Sequence, residues 1–231
     1  MKTAIKKFAL FFLLISISIV GIIGYFLRDT QLGTLYAWQY SYNPVYPKII
    51  SESKIKFLTE LSSVAIEQTY LKVTYTPDYQ EISYPNGDIP ENQGVCSDVI
   101  IRAYRKLTID LQKDVHEDME KHFDLYPRIW GLKKTDTNID HRRVPNLMVF
   151  FKRKGIILPI TKQKNDYLPG DIITWNLAFG RPHIGIVINR KNKISGNPLI
   201  VHNIGDGPQI EDVLFNWEIT GHFRYFGLNE K

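Results

Sequence analysis

Residues 183–189 read HIGIVIN, and the strand they predict organises the rest of the chain around it. Alternation on a pleated strand sends Ile184, Ile186 and Ile188 to one face and His183, Gly185 and Val187 to the other. The first set is a core face. The second opens on a histidine followed by a residue without a side chain, which leaves space for another element to approach. Short apolar runs at 156–160, 171–175, 199–204 and 222–226 predict further strands, and a β-branched run at 72–75 predicts one more. Upstream of 155 the spacing changes to three and four. Ser51 caps a predicted helix whose inner face is Ile55, Leu58, Leu61 and Ala65. Cys96, Val99, Ile100, Ala103, Tyr104 and Leu107 mark a second, and 110–123 a third. A fourth starts at Pro145 and ends with Gly155 in the capping position. Helices followed by a run of strands predict an α+β domain, N-terminal helices packed on an antiparallel β-sheet.

The totals fit a folded chain with an appendage. At 231 residues there is room for one ordinary domain, and 44% hydrophobic against 23% charged residues excludes wholesale disorder. A single cysteine excludes an intramolecular disulfide framework and a cysteine-cluster zinc site. Of the net charge of +5, four units sit on Lys2, Lys6, Lys7 and Arg28, so the body of the chain is nearly neutral. It offers no basic face for nucleic acid.

Phe8 opens and Leu27 closes a run of 20 residues without a charge. As a helix this run spans about 30 Å, the thickness of a bilayer's hydrocarbon core. Lysines before it place the N-terminus in the cytoplasm and the remainder outside. No small-x-small cleavage site follows at the right distance, which favours an uncleaved signal anchor over secretion after cleavage. The expected organisation is a single membrane-spanning segment at 1–28, a linker at 29–50 and one domain at 51–231, facing an extracytoplasmic compartment.

The chemistry-bearing residues are few. Cys96 stands where a turn-rich loop becomes a helix, and free N–H groups and the helix dipole there favour thiolate. His183 opens the polar face of its strand, and the next strand, LIVHNI, brings His202 and Asn203. A thiol, an imidazole and a polar orienting group form the general pattern of a nucleophilic triad.

The segments GVCSDVI, LPGDIITW, RPHIGIVI and IVHNI resemble the NlpC-type cell-wall peptidases, which are papain-like cysteine hydrolases. More closely, the stretches at 85–88, 94–98, 138–146 and 168–171 resemble an uncharacterised bacterial family typified by the YijF protein. Together the similarity covers about residues 50–228. It implies a papain-like fold, with Cys96 as nucleophile, His183 as general base and His202 as the residue that orients it. A tyrosine about a dozen residues before the cysteine helps hold the oxyanion in that group, which points to Tyr84. Asp171 falls in a Pro-Gly-Asp turn that is structural. The implied substrate is an amide bond in peptidoglycan stem peptides, with no cofactor. Arg142 and Arg143, in the polar loop KKTDTNIDHRR, are candidates to clamp a substrate carboxylate, and Asn203 is a third candidate substrate contact. This chain departs from the pattern at Val95, where an aspartate is usual, and in the segment 110–143, foreign to the simplest members.

Two other readings compete. His116 and His122 lack the one-turn spacing of helical metal ligands, but a metal-dependent hydrolase assembled from His141, His183 and His202 is a rival. An inactive cell-envelope binding module on the same fold is the other.

Overall fold

The computed structural model describes residues 50–228. The expected membrane-spanning run and all but the last residue of the expected linker lie outside them. Among the described residues, no helix is long and apolar enough to cross a membrane.

The described residues form four α-helices: α1 (Glu52–Glu67), α2 (Cys96–Lys106), α3 (Leu111–Lys121) and α4 (Val144–Lys154). Ser51 caps α1 by accepting from Lys54 N–H at 3.4 Å, and Leu58, Leu61 and Ala65 are buried beneath it. Asp110 caps α3 in the same way. That helix ends before Phe123, because the chain leaves helical geometry at His122 and tightens into a 3-10 turn.

The strands are β1 (Thr74–Tyr75), β2 (Gln93–Gly94), β3 (Ile156–Ile157), β4 (Ile172–Leu177), β5 (Arg181–Lys191), β6 (Pro198–Asn203), β7 (Pro208–Glu211) and β8 (Glu218–Arg224). Six form one antiparallel sheet in the order β3-β8-β4-β5-β6-β7, so the HIGIVIN strand lies inside it. The expected strand at 156–160 shortens to two residues: Leu158 N–H still reaches His222 O, but Pro159 has no N–H to continue. β1 and β2 form a separate parallel pair that sets Tyr75 opposite Gly94. The run at 72–75 contains β1, whereas β2, its pairing with β1, and β7 went unread in the sequence. The 133–143 loop ends in a buried 3-10 turn, Asp140–Arg142.

The sheet packs on both faces. On one, Ile172, Ile184, Ile186, Ile188, Val201 and Phe223 meet Ala65, Val99, Ile100, Leu147, Phe150 and Phe151 of the helices. Truncating a ring buried like Phe151 costs about 3–5 kcal/mol. On the other face Ile173, Trp175, Val187 and Ile200 join Tyr167, Val213 and Leu214. Gly170 turns the chain into β4 with a φ of +84°, and a Cβ there would lie 2.9 Å from the Leu58 backbone. Asp171 closes this turn, accepting from Leu168 N–H while holding Arg224 and His222.

Candidate active site

Cys96 is the first residue of α2, and three contacts fix its position. Val95 has no side-chain acceptor for the helix N-terminus, so the cap is half of a capping box: Asp98 reaches back to accept from Val95 N–H at 2.7 Å. Arg142 then holds Asp98 with Nε and Nη2 at 2.9 and 3.0 Å, both side chains almost fully buried. Ser97 donates to Arg142 O at 2.7 Å, tying the same turn to the first helical residues.

β5 carries the candidate base, His183. The register Ile186↔Val201, carried one step, sets Gly185 across from His202 and makes His183 its diagonal neighbour. A Cβ at Gly185 would come within 2.7 Å of Ile200 Cγ2 and 3.1 Å of His202 Cβ. The missing side chain is what lets the second histidine approach. His183 Nε2 lies 2.8 Å from His202 Nδ1, and His202 Nε2 lies 2.8 Å from Glu211 Oε2, the latter close in distance but poorly aligned for a hydrogen bond. Trp217 stands edge-on to both imidazoles, and Trp175 flanks His183, so the rings are boxed by aromatic walls.

The relay fixes the tautomers that base chemistry requires. If His183 is to accept a proton at Nδ1, its hydrogen sits on Nε2 and donates to His202 Nδ1. His202 then carries its own hydrogen on Nε2, facing the carboxylate. The His202 contact holds the Glu211 carboxyl below its ordinary range, so the far end of the relay is an anion.

At the thiol the expectation of a thiolate is corrected. Burial pushes the Cys96 thiol up to about 12, with Asp98 adding to it, although N–H groups of Ile184, Ser97 and Cys96 itself pull the other way. Desolvation outweighs the helix N-terminus. Burial, then His202 and Arg181, pull His183 down to about 3. Both groups rest neutral at pH 7. The sulfur faces the amide of Ile184, the residue after His183, and among the described residues no hydrogen bond joins it to the ring.

Other expected site residues stand elsewhere. Tyr84 packs edge-on against His116 of α3, its ring centroid 5.1 Å away, among the charges of Glu117, Lys113 and Asp110. Counting twelve residues back from the cysteine fails because the turn-rich loop leads the chain away. Tyr75, set opposite Gly94 by the β1–β2 pair, is the tyrosine whose phenol feels Cys96; burial and then Cys96 raise it. Arg142 is no substrate clamp: its fork is spent on Asp98 and on Thr76 O and Asp78 O. Arg143 lies over the Trp130 ring at 4.1 Å, among Asp140 and Asp136. Asn203, fully buried, donates to Gly94 O at 3.2 Å and accepts from Gly205 N–H, bracing β2 next to Cys96 rather than facing a ligand. Glu211 and Tyr75 are the residues the sequence reading missed. Histidines 141, 183 and 202 do not gather. His141 sits by Arg142, Arg105 and His116, and no three His, Cys, Asp or Glu among the described residues converge to hold a metal ion.

Buried neutral histidines make stability depend on pH. Burial, then Arg142, holds His141 at about 3, as burial holds His183. Below about pH 6.5 the unfolded chain takes up protons that these folded rings refuse, so each removes up to roughly 1.4 kcal/mol per pH unit. Asp140, raised by burial to about 6, works oppositely: between about pH 4 and 6 the folded carboxyl keeps a proton the unfolded one has released. From these three groups, stability falls by roughly one proton's worth, about 1.4 kcal/mol per unit, from pH 6 to 4. Urea midpoints across that range should show the decline, and His141→Leu should flatten it. An unchanged slope in the variant would rule out a buried neutral ring at 141.

This is an α+β domain whose only thiol opens a helix packed on the strand that carries an imidazole relay. Residues 62–225 match the family described as "Domain of unknown function (DUF1287)", and the chain belongs to that family. The uncharacterized protein YijF of Escherichia coli (strain K12) is 47% identical over 184 residues, covering 80% of this chain and 89% of that protein. Among solved structures, NlpC1 from Trichomonas vaginalis is similar at 18% identity and a TM-score of 0.42, over 78% of this chain and 48% of that one. NlpC2 from the same organism gives 16% identity and a TM-score of 0.40, over 77% and 50%. The chain thus spans about half the length of these two proteins.

Proposed function

We propose that the protein is a papain-like cysteine hydrolase, held at the outer face of the bacterial cytoplasmic membrane by residues 8–27, that cleaves amide bonds in peptidoglycan stem peptides. The observation that carries this reading is the His183–His202–Glu211 relay, borne on the strand whose next amide, Ile184 N–H, faces the chain's single thiol. The motif resemblance to cell-wall peptidases and the apolar N-terminal run support the substrate and the compartment.

The resting neutral pair determines how the reaction starts. A preformed thiolate–imidazolium pair is far uphill, so proton transfer is coupled to attack: as Sγ bonds to the amide carbon, its proton passes to His183 Nδ1. Catalytic hydrogen bonds commonly tighten once substrate is engaged, which closes the remaining gap between sulfur and ring. The charge gained by His183 is stabilised through His202 by the Glu211 carboxylate. The carbonyl oxygen becomes an oxyanion, met by the Cys96 N–H and the Tyr75 hydroxyl. Collapse expels the amine with the proton held by His183 and leaves a thioester, and water activated by the same imidazole releases the acid.

Purified sacculi incubated with the full-length protein should release peptides ending in new amine and carboxyl termini. Unchanged sacculi would overturn the substrate assignment. Tyr75→Phe should lower kcat about 10²- to 10³-fold with KM little altered, the loss typical of one oxyanion donor. Tyr84→Phe should leave both parameters near wild type. The reverse pattern would restore the count-back assignment and remove Tyr75 from the site.

A further inference from the structure

We propose that Arg181 sets the specificity of this site by reading a free carboxylate on the substrate beside the bond that Cys96 attacks. The inference rests on the cysteine hydrolase reading above and adds a substrate class to it: amides flanked by an ionised carboxyl group, with carboxamide or ester counterparts as poorer substrates.

Strand geometry supplies the first support. β5 opens on Arg181, two residues before His183, so both side chains leave the same face of the strand, roughly 7 Å apart along it. The hairpin partner repeats the arrangement, with Trp175 opposite His183 and Leu177 opposite Arg181. His183 is 2% exposed whereas Arg181 is open to solvent, which sets the imidazole at the floor of the site and the guanidinium at its rim. The positive charge is felt by both Tyr75 and His183. A substrate that reaches oxyanion donor and base therefore enters the field of this cation.

The second support is how six of the other arginines are used. Arg102, Arg105, Arg128, Arg142, Arg153 and Arg224 each form an ion pair with an aspartate. Among the described residues no carboxylate pairs with Arg181, although its surroundings hold the groups proposed to do the chemistry. A planar fork of N–H donors that no described carboxylate occupies matches a substrate carboxylate, and its charge draws anions toward the thiol. The clamp expected at 142–143 is replaced by one from β5.

The single cysteine allows a test that needs no substrate, because alkylation reports Cys96 alone. Iodoacetate and iodoacetamide differ in carrying a carboxylate or a carboxamide. In mildly alkaline buffer of low ionic strength, the full-length protein should favour iodoacetate over iodoacetamide more strongly than free glutathione does. Arg181→Gln should reduce this preference about three- to tenfold, the range for one partly solvated charged contact. Added salt should weaken it in the wild type and not in the variant. Arg143→Gln should leave the preference intact. An unchanged ratio in Arg181→Gln, or a fall only in Arg143→Gln, would overturn the role of Arg181 while the thiol chemistry stood. A thiol that reacted with neither reagent would overturn both, since a site closed to so small an acid cannot read a carboxylate.

Discussion

Cys96→Ala should lower peptide release from sacculi on the order of 10⁴-fold or more, the scale seen when a nucleophile is removed and only binding and oxyanion contacts remain. His183→Ala should cost nearly as much. The informative comparison is the double variant, which should be no slower than either single one. A thiol that cannot pass its proton and an imidazole with no proton to receive disable the same step, so their losses do not multiply. The fold should tolerate the change at 96. The Cys96 side chain is buried and small, and replacing its sulfur by hydrogen removes little packing, about 1 kcal/mol or less. Loss of activity with an unchanged unfolding midpoint would then belong to the chemistry. If the two single losses multiplied in the double variant, Cys96 and His183 would be acting in separate steps, and the relay would have to serve another group.

The largest stability effect should come from Arg142→Ala, at about 3–5 kcal/mol. Its guanidinium is the partner of Asp98, whose side chain is 4% exposed, and removing it leaves a carboxylate buried without a counter-charge. Asp98 also caps α2 through Val95 N–H, so the damage falls on the turn that carries Cys96. Truncating only the aspartate should be less informative, because it removes the cap and the charge together. Arg142→Met, which fills the space without restoring the charge, separates packing from electrostatics: it should remain destabilised by most of the same amount. A variant within about 1 kcal/mol of wild type, read from urea unfolding at neutral pH, would show that the pair contributes no more than an exposed one.

The parts of the fold set by local periodicity were legible in the sequence. The spacing of Leu58, Leu61 and Ala65, or the alternation of Ile184, Ile186 and Ile188, states which side is buried whatever lies opposite. Gly185 also read correctly as a place of close approach, and His202 fills it. What the sequence hid was set by distant partners. Arg142 looked like a solvent-facing clamp because Asp98, which consumes it, lies 44 residues earlier. Asn203 looked like a ligand contact because its acceptor, Gly94 O, belongs to a strand too short to recognise. Glu211 was missed for a similar reason. PQIE carries no alternation strong enough to announce a strand, and only the β6–β7 pairing brings that carboxylate to His202. Tyr84 and Tyr75 show the limit of counting along the chain: the parallel β1–β2 bridge, not the interval in sequence, decides which phenol stands near the thiol. The protonation state was missed as well, because a helix N-terminus is visible in sequence and the extent of desolvation is not.

The covalent intermediate is the most direct test of the account. The full-length protein, mixed with a peptidoglycan digest and quenched in acid within a turnover, should carry an acyl group on Cys96, seen as added mass on the one cysteine-containing peptide and released by hydroxylamine. Cys96→Ala should carry none, and His183→Ala should form it far more slowly. Hydrolysis that proceeds at the wild-type rate in Cys96→Ala, with no adduct at any time, would contradict the account.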